Sequence, residues 1–139
     1  MDLEVSGGED DCTPLHWAVV NGHPAVVLYL CEQGADKEAR NRDSNTPLHL
    51  VARWGRLHVV QYLCKQSADK EARERGDWTP LHLAAFKGHL PLAQYLCEQG
   101  TDKEARDRRE ETPLHLAAAN GKLPVVQYLR EQGADEQHT

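Results

Sequence analysis

Apolar and polar positions follow each other along the chain with the spacing of two short helices and a polar connection. In residues 75–107, Thr79 and Pro80 are typical of a helix start, because threonine caps backbone N–H groups and proline needs no donor in the first turn. Small apolar residues follow at helical spacing until Gly88, a residue type that commonly ends helices in the left-handed conformation. A second apolar stretch ends at Gly100 and a polar segment follows it. The pattern predicts a helix-turn-helix unit with a projecting loop.

This unit occurs four times at one period. The tetrapeptide Thr-Pro-Leu-His recurs every 33 residues, beginning at Thr13, Thr46, Thr79 and Thr112. A strict period of this length is typical of repeat proteins, in which each unit packs on its neighbours and the core is continuous. We therefore predict an all-α repeat solenoid. Residues 1–8 are expected to be a flexible segment, and residues 9–139 a single array with units of about 9–41, 42–74, 75–107 and 108–139.

Composition narrows the class of function. The 139 residues carry a formal net charge of −6, which argues against a dedicated nucleic-acid binder and against an acidic membrane surface as partner. No apolar run approaches the ~20 residues that cross a bilayer. The acidic N-terminus also lacks the basic and apolar regions of a secretory signal. We expect a cytoplasmic or nuclear protein that is not secreted and has no nucleic-acid or membrane partner.

Three of the four cysteines occupy one position in successive units: Cys31, Cys64 and Cys97. Packed helices lie roughly 8–10 Å apart, whereas a disulfide needs Cα atoms within about 7 Å. These three thiols are therefore predicted to stay reduced and buried, which fits an intracellular protein. Cys12 lies elsewhere, just before Thr13, and is predicted to be an exposed thiol.

Motifs for chemistry are missing from the sequence. It contains no glycine-rich phosphate loop, no nucleophile elbow, no His-Glu-x-x-His and no Cys-x-x-Cys. The histidines of the four tetrapeptides stand one repeat apart, too far for the ~2.1 Å bonds of a shared zinc ion. We interpret each as a local brace for its loop, and the recurrent tyrosine of the second helices as packing. The sequence predicts no enzyme activity, no metal and no cofactor.

Thr-Pro-Leu-His-Leu-Ala-Ala, followed by Gly-His-Leu, Val-Val-x-Tyr-Leu and Gly-Ala-Asp, resembles the ankyrin repeat. The resemblance covers roughly Asp10 to Asp135, in four copies that stay in phase. It implies paired antiparallel helices, β-hairpin or loop fingers that project at one edge, and a curved stack. It also implies protein–protein recognition through the finger tips and the first helices, on the concave side.

The sequence departs from the family pattern at its turns. The glycine that the family places at the finger tip is replaced in every unit, by Asp11, Ser44, Asp77 and Glu110. Because Asp and Ser tolerate turns, we expect altered or looser tips and not lost ones. Ser67 stands where the other second helices end in glycine, and a non-glycine residue at positive φ costs about 1 kcal/mol.

Positions at which the units differ are the candidates for recognition, because the scaffold explains the constant positions. The units differ most at the finger tips and at the ends of the first helices. The middle units place aromatic and basic residues there, and Trp and Arg are enriched in binding hot spots. The alternative is that Trp54 or Phe86 simply covers neighbouring apolar surface. The predicted partner-binding residues are Asp43, Asn45, Arg53, Trp54, Asp77, Trp78, Phe86, Lys87, Glu111 and Asn120.

The ends of the array raise a second hypothesis. Repeat arrays need polar terminal units, yet no capping helix is recognisable before the first unit. Arg130, which replaces the recurrent cysteine, makes the C-terminal face partly polar. End-to-end self-association, or a structural place in a longer array, is therefore the alternative to a scaffold with its own protein partner. Trp17, which replaces the leucine of the other units, is predicted to lie in the core.

Overall fold

The computed structural model describes residues 11–134, and helices occupy most of this range. First helices begin in the Thr-Pro-Leu-His tetrapeptides, and second helices follow after a short turn. The first helices are α1 (Pro14–Val20), α3 (Pro47–Trp54), α5 (Pro80–Lys87) and α7 (Pro113–Ala119). The second helices are α2 (Pro24–Glu32), α4 (Leu57–Lys65), α6 (Leu90–Glu98) and α8 (Leu123–Glu131). The segment predicted to be flexible, residues 1–8, lies outside the described residues.

Each first helix begins with the same reciprocal cap. In α3, the backbone N–H of His49 donates to Thr46 Oγ1 at 3.3 Å, and the backbone N–H of Thr46 donates to His49 Nδ1 at 3.1 Å. The pair satisfies donors that a helix start leaves without partners, and histidine stands where a glutamate or glutamine is more usual. The same arrangement recurs at α1, α5 and α7. The tetrapeptide that defines the period is therefore a helix start.

Helices of adjacent units pack in two layers. Each first helix contacts the first helix of the next unit, each second helix contacts the next second helix, and the two helices of a unit contact each other. The side chains between the layers form one continuous hydrophobic cluster that extends from Leu15 to Leu129. Small residues such as Ala52 and Ala85 are completely buried, and they let the first helices approach closely. This architecture confirms the predicted all-α repeat solenoid.

The fingers between the units are tight turns, and residues 11–134 contain no extended β-strand of the hairpins that the resemblance implies. Ser44, Asp77 and Glu110 adopt φ angles of 64°, 65° and 66° at the tips. The left-handed turn is thus retained although each unit lacks the family's glycine. Adjacent fingers are joined by a backbone hydrogen bond, for example from the N–H of Arg75 to the C=O of Asp43 at 3.2 Å.

The cysteines follow the prediction in part. Cys31 and Cys64 are buried thiols as predicted, and burial raises the pKa of both. Cys97, for which burial was also predicted, is only half-buried. Cys12 was predicted to be exposed, and this is wrong, since the residue is only 5% exposed. Its Sγ accepts a long hydrogen bond of 3.7 Å from Asn41 Nδ2, because the finger of the second unit packs against it.

Trp17 is not a core residue, contrary to the prediction. Its relative exposure is 44%, whereas Leu50, Leu83 and Leu116 at the same position are each 6% exposed. Those three leucines belong to units that have a preceding unit, and Trp17 belongs to the first unit of the described array. The difference in neighbours, together with the larger indole ring, leaves Trp17 exposed beside the first finger.

Candidate partner-binding surface

Finger tips and first helices together line two grooves. The N-terminal groove lies between the first and second units, has a volume of about 250 Å³, and is lined mainly by Trp17, Leu50, Arg53, Trp54 and Asp43. The C-terminal groove lies between the third and fourth units and is larger, about 670 Å³. Its main lining residues are Trp78, Phe86, Leu116, Arg108 and Arg109. Each groove combines an apolar floor from the first helices with charged residues from the fingers.

Two exposed tryptophans dominate the N-terminal groove. Trp54, at the end of α3, is 48% exposed, and Trp17 faces the same groove from α1. The guanidinium carbon of Arg53 lies 5.9 Å from the Trp54 ring centroid, a distance that permits a cation–π interaction. Sequence reasoning predicted Arg53 and Trp54 but missed Trp17. The sequence feature that could have indicated an exposed Trp17 was its position in the first unit, before which no cap is recognisable.

The aromatic floor of the C-terminal groove is held in place by its neighbours. The indole Nε1–H of Trp78 donates to Asp107 Oδ2 at 2.8 Å. The Trp78 ring lies 5.2 Å from the ring of Phe86 and stacks on His82 at 6.3 Å, while Lys87 Nζ lies 5.7 Å from the Phe86 centroid. Trp78 and Phe86 are half-buried, so each packs on the scaffold and also lines the groove.

Asn45 lines the N-terminal groove but is largely buried. It is 6% exposed, because its backbone N–H donates to Asn41 Oδ1 and its C=O lies 3.0 Å from His16 Nε2. Asn120 is exposed, but its Nδ2 donates to the backbone C=O of Phe86 at 2.7 Å. Asn120 thus also caps the end of α5 in the neighbouring unit.

The acidic residues of the predicted set lie along the fingers. Asp43 is exposed, and its Oδ1 lies 3.9 Å from Arg75 Nη1 of the next finger. Asp77 is half-buried at the tip of its turn. Glu111 is half-buried and lines the C-terminal groove. The structure thus distributes the predicted set over both grooves and the fingers between them.

The recurrent histidines brace the fingers across units, which extends the local role predicted for them. His49 Nε2 lies 2.9 Å from the C=O of Trp78, and His82 Nε2 lies 3.1 Å from the C=O of Glu111. A carbonyl oxygen only accepts, so Nε2 carries the proton, while Nδ1 accepts from the threonine N–H. Each ring is therefore neutral.

Burial of these rings disfavours the charged imidazolium. Loss of hydration lowers the pKa of His49 to about 4, and it also lowers the pKa of His82. The contact with the Trp78 carbonyl opposes the shift of the His49 pKa without cancelling it. His49 Nε2–H can donate to the Trp78 carbonyl in either protonation state, whereas the bond from the Thr46 N–H to Nδ1 requires the neutral ring.

Residues 11–134 show neither a candidate metal site nor a helix that could span a membrane. Within this range, no three His, Cys, Asp or Glu side chains are grouped so that they could hold a metal ion. None of the helices in the same range has the length and apolar character needed to span a membrane.

Comparison with known proteins gives matches along the array. The family model for the ankyrin repeat matches residues 10–42, and the model for ankyrin repeats in three copies matches residues 37–107 and 71–139. The palmitoyltransferase AKR1 of Lachancea kluyveri is 50% identical over 36 residues, which is 26% of this chain and 5% of that protein. That likeness is about one repeat long, and ankyrin repeats generally mediate protein–protein interaction. The matches together extend from residue 10 to residue 139, and with four capped helix pairs in the structure they show that this chain belongs to the ankyrin-repeat family.

Proposed function

We propose that this chain is a non-catalytic scaffold that binds a protein partner on the concave face of the array. The observation that carries the proposal is the pair of grooves, in which exposed aromatic and cationic side chains lie beside the finger tips. Tryptophan and arginine contribute most often to binding hot spots. The proposed contact set is Asp43, Arg53, Trp54, Asp77, Trp78, Phe86, Lys87, Glu111 and Asn120, with Trp17 added and Asn45 removed.

The scaffold is organised before binding. Trp78 is held by Asp107 and Phe86, and the finger that carries it is held by His49. Fixing side chains and loops in advance lowers the entropy cost of association, which otherwise reduces affinity. As part of the proposal, we place the protein in the cytoplasm or the nucleus, where cysteines such as Cys31 remain reduced.

Exposed residues of the first helices allow a test that leaves the fold intact. The variant Trp17→Ala/Arg53→Ala/Trp54→Ala/Lys87→Ala removes side chains that are all exposed. We expect a protein retained from a lysate by the parent to bind this variant at least about 30-fold more weakly, since one hot-spot side chain contributes about 2 kcal/mol. Quantitative pull-down followed by titration of the retained protein measures the change.

A matched control carries Leu28→Ala/Lys65→Ala/Gln127→Ala, three exposed positions on the second helices. Circular dichroism of all three proteins checks that they are equally folded. Retention by the parent and the control, with loss by the first-helix variant, supports the concave face as the contact surface. Equal retention by both variants, and also by Arg108→Glu/Arg109→Glu in the C-terminal groove, overturns it.

End-to-end association is a second candidate, and the first unit carries the observation that favours it. Val26 is 46% exposed, whereas Val59, Leu92 and Val125 at the same position are at most 2% exposed. Tyr29 is exposed as well, although the tyrosines of the later units pack against the core as their periodicity predicted. A preceding unit covers these positions elsewhere in the array, so the face that surrounds Val26 matches the end of another array.

Sedimentation of the chain over a range of concentrations tests this second candidate. We expect concentration-dependent oligomers at micromolar concentrations, because head-to-tail contacts leave a free end on each oligomer, and Val26→Glu should shift the equilibrium at least tenfold towards monomer, because a carboxylate resists burial. In head-to-tail stacking, Ala118→Glu has the same effect, because Ala118 is exposed whereas Ala52 and Ala85 are buried by a following unit. Monomers at all concentrations up to about 100 µM would rule this candidate out.

A further inference from the structure

We infer that the C-terminal groove binds an extended protein segment in which an apolar side chain lies next to carboxylate side chains. The inference rests on the proposed function and adds the chemistry of the partner. Three observations carry it: the space in the groove, the two arginines at its edge, and the internal use of the carboxylates around them.

The C-terminal groove is the larger of the two, and a small residue lines it where the N-terminal groove has a long one. Ala119 stands at the position that Arg53 occupies in the N-terminal groove, and Gly76 stands at the position of Asp43 in the finger before it. Both small residues line the groove, which has about 670 Å³ against about 250 Å³ in the N-terminal groove. The floor is formed by the Trp78 ring and by apolar residues of α5 and α7. An apolar side chain of a partner fits this space.

Arg108, at the edge of the groove, lacks the ion pair that its counterpart Arg75 forms. Arg75 Nη1 lies 3.9 Å from Asp43 Oδ1 of the preceding finger. Arg108 occupies the same position one unit later, and its backbone N–H donates to the C=O of Gly76 at 3.1 Å in the same register. Glycine supplies no carboxylate there. Across residues 11–134, neither Arg108 nor Arg109 forms an ion pair, and both are exposed.

The carboxylates of Glu74 and Asp107, which lie beside these arginines, accept hydrogen bonds within the turns. Glu74 Oε1 accepts from the N–H of Trp78 at 3.0 Å and also from the N–H of Gly76. Asp107 Oδ1 accepts from the N–H groups of Arg109 and Glu111, both at 2.8 Å, and its Oδ2 accepts from the Trp78 indole. The third acidic residue that lines the groove, Glu111, is half-buried, whereas the guanidiniums of both arginines are exposed.

Arginine binds a carboxylate in a bidentate manner, so Arg108 and Arg109 fit one or two acidic side chains of a partner. An apolar neighbour of those side chains would contact the Trp78–Phe86 floor. A protein segment with one or two carboxylates fits better than a nucleic acid, because the repeated phosphates of an extended chain would also meet Glu74, Asp107 and Glu111, which line the same groove. The occupant is therefore an acidic protein segment with an apolar anchor.

Selection from a random 12-residue peptide library displayed on phage tests the inference. On the immobilised parent, we expect enriched peptides to place Asp or Glu next to Leu or an aromatic residue. The Kd of an enriched peptide should rise at least about tenfold in Arg108→Glu/Arg109→Glu, and it should also rise with salt because exposed charges are screened. The control Lys37→Glu/Lys65→Glu changes the net charge equally, away from the groove, and should keep the Kd within about twofold.

Several results would overturn the inference. They are enrichment of basic or purely apolar peptides, an equal loss of affinity in the control, tighter binding of a 12-nucleotide single-stranded RNA, and no enrichment at all. Apolar or basic peptides that lose binding in the Trp17→Ala/Arg53→Ala/Trp54→Ala/Lys87→Ala variant would leave the proposed function standing. Where no peptide is enriched, the pull-down experiment decides the proposed function separately.

Discussion

Lowering the pH from 7 to 4 should decrease the free energy of unfolding by about 3 kcal/mol through His49 alone. Burial lowers the pKa of His49 from its ordinary 6.5 to about 4 in the folded protein. Between these values the unfolded chain binds a proton that the folded chain does not, so stability increases with pH. The contribution is fully present above pH 6.5 and is lost progressively towards pH 4, at 1.36 kcal/mol for each unit of difference. His82 adds a loss in the same direction.

Urea unfolding at pH 7, 6, 5 and 4 measures this dependence. His49→Gln should be less stable than the parent at pH 7, because the bonds to the Thr46 cap and to the Trp78 carbonyl are altered. Its stability should nevertheless fall less steeply with pH, since one titrating group has been removed. The matched control is His58→Gln, at an exposed position, and it should keep the slope of the parent. An unchanged slope in His49→Gln would contradict the role given to His49.

Acidification should act on the start of α3 and not on the finger that carries Trp78. A proton on His49 Nδ1 removes its ability to accept from the Thr46 N–H. Nε2 keeps its proton and still donates to the C=O of Trp78, whose ring forms part of the floor of the C-terminal groove. The loss of stability at low pH should therefore begin at the cap of α3.

Truncation of Leu63 to alanine is expected to decrease stability by about 3–4 kcal/mol. Leu63 lies in α4, is completely buried, and belongs to a unit with neighbours on both sides. Removal of a buried leucine costs the transfer free energy of the lost methyl groups and an additional amount for the cavity. In a stack of repeats, the damage also weakens the coupling of the first unit to the third and fourth.

Urea denaturation followed by circular dichroism measures the effect of Leu63→Ala. The control Leu28→Ala, at an exposed position of α2, should change stability by less than about 0.5 kcal/mol. A transition that becomes broader or splits into two steps would show that the second unit couples the ends of the array. A loss below about 1 kcal/mol for Leu63→Ala would show that the stack repacks around the cavity.

The structural framework was predictable because it depends on local residue chemistry that repeats. The Thr-Pro pair specifies where α1, α3, α5 and α7 begin, and the apolar spacing specifies which helix faces are buried. The burial of Cys31 and Cys64 was predicted from their period, although Cys97 at the same position of the third unit is only half-buried. These features need only a residue's neighbours in sequence and the knowledge that the unit recurs.

Exposure at the ends and tips was less predictable, because it depends on contacts between units. Trp17 and Leu50 occupy equivalent positions, yet only Leu50 has a preceding unit in the described array. Asn45 was predicted to contact a partner, but His16 of the preceding unit reaches its carbonyl oxygen and the residue is buried. Cys12 is likewise covered by the finger that contains Asn41. No single repeat contains the information that separates these cases.

The amino-acid sequence alone was sufficient for the family, the recurrence of the unit and the start of each first helix, and it predicted a surface on which the variable residues collect. A residue type that recurs in every unit has the same local structural role in each unit. Four copies of the unit therefore show the same pattern four times. The tertiary structure was needed to locate the two grooves and to show that Arg108 lacks the ion pair that Arg75 forms. Both properties depend on contacts between residues of adjacent fingers, which are about 33 residues apart in the sequence. The distances between these residues depend on how the units stack.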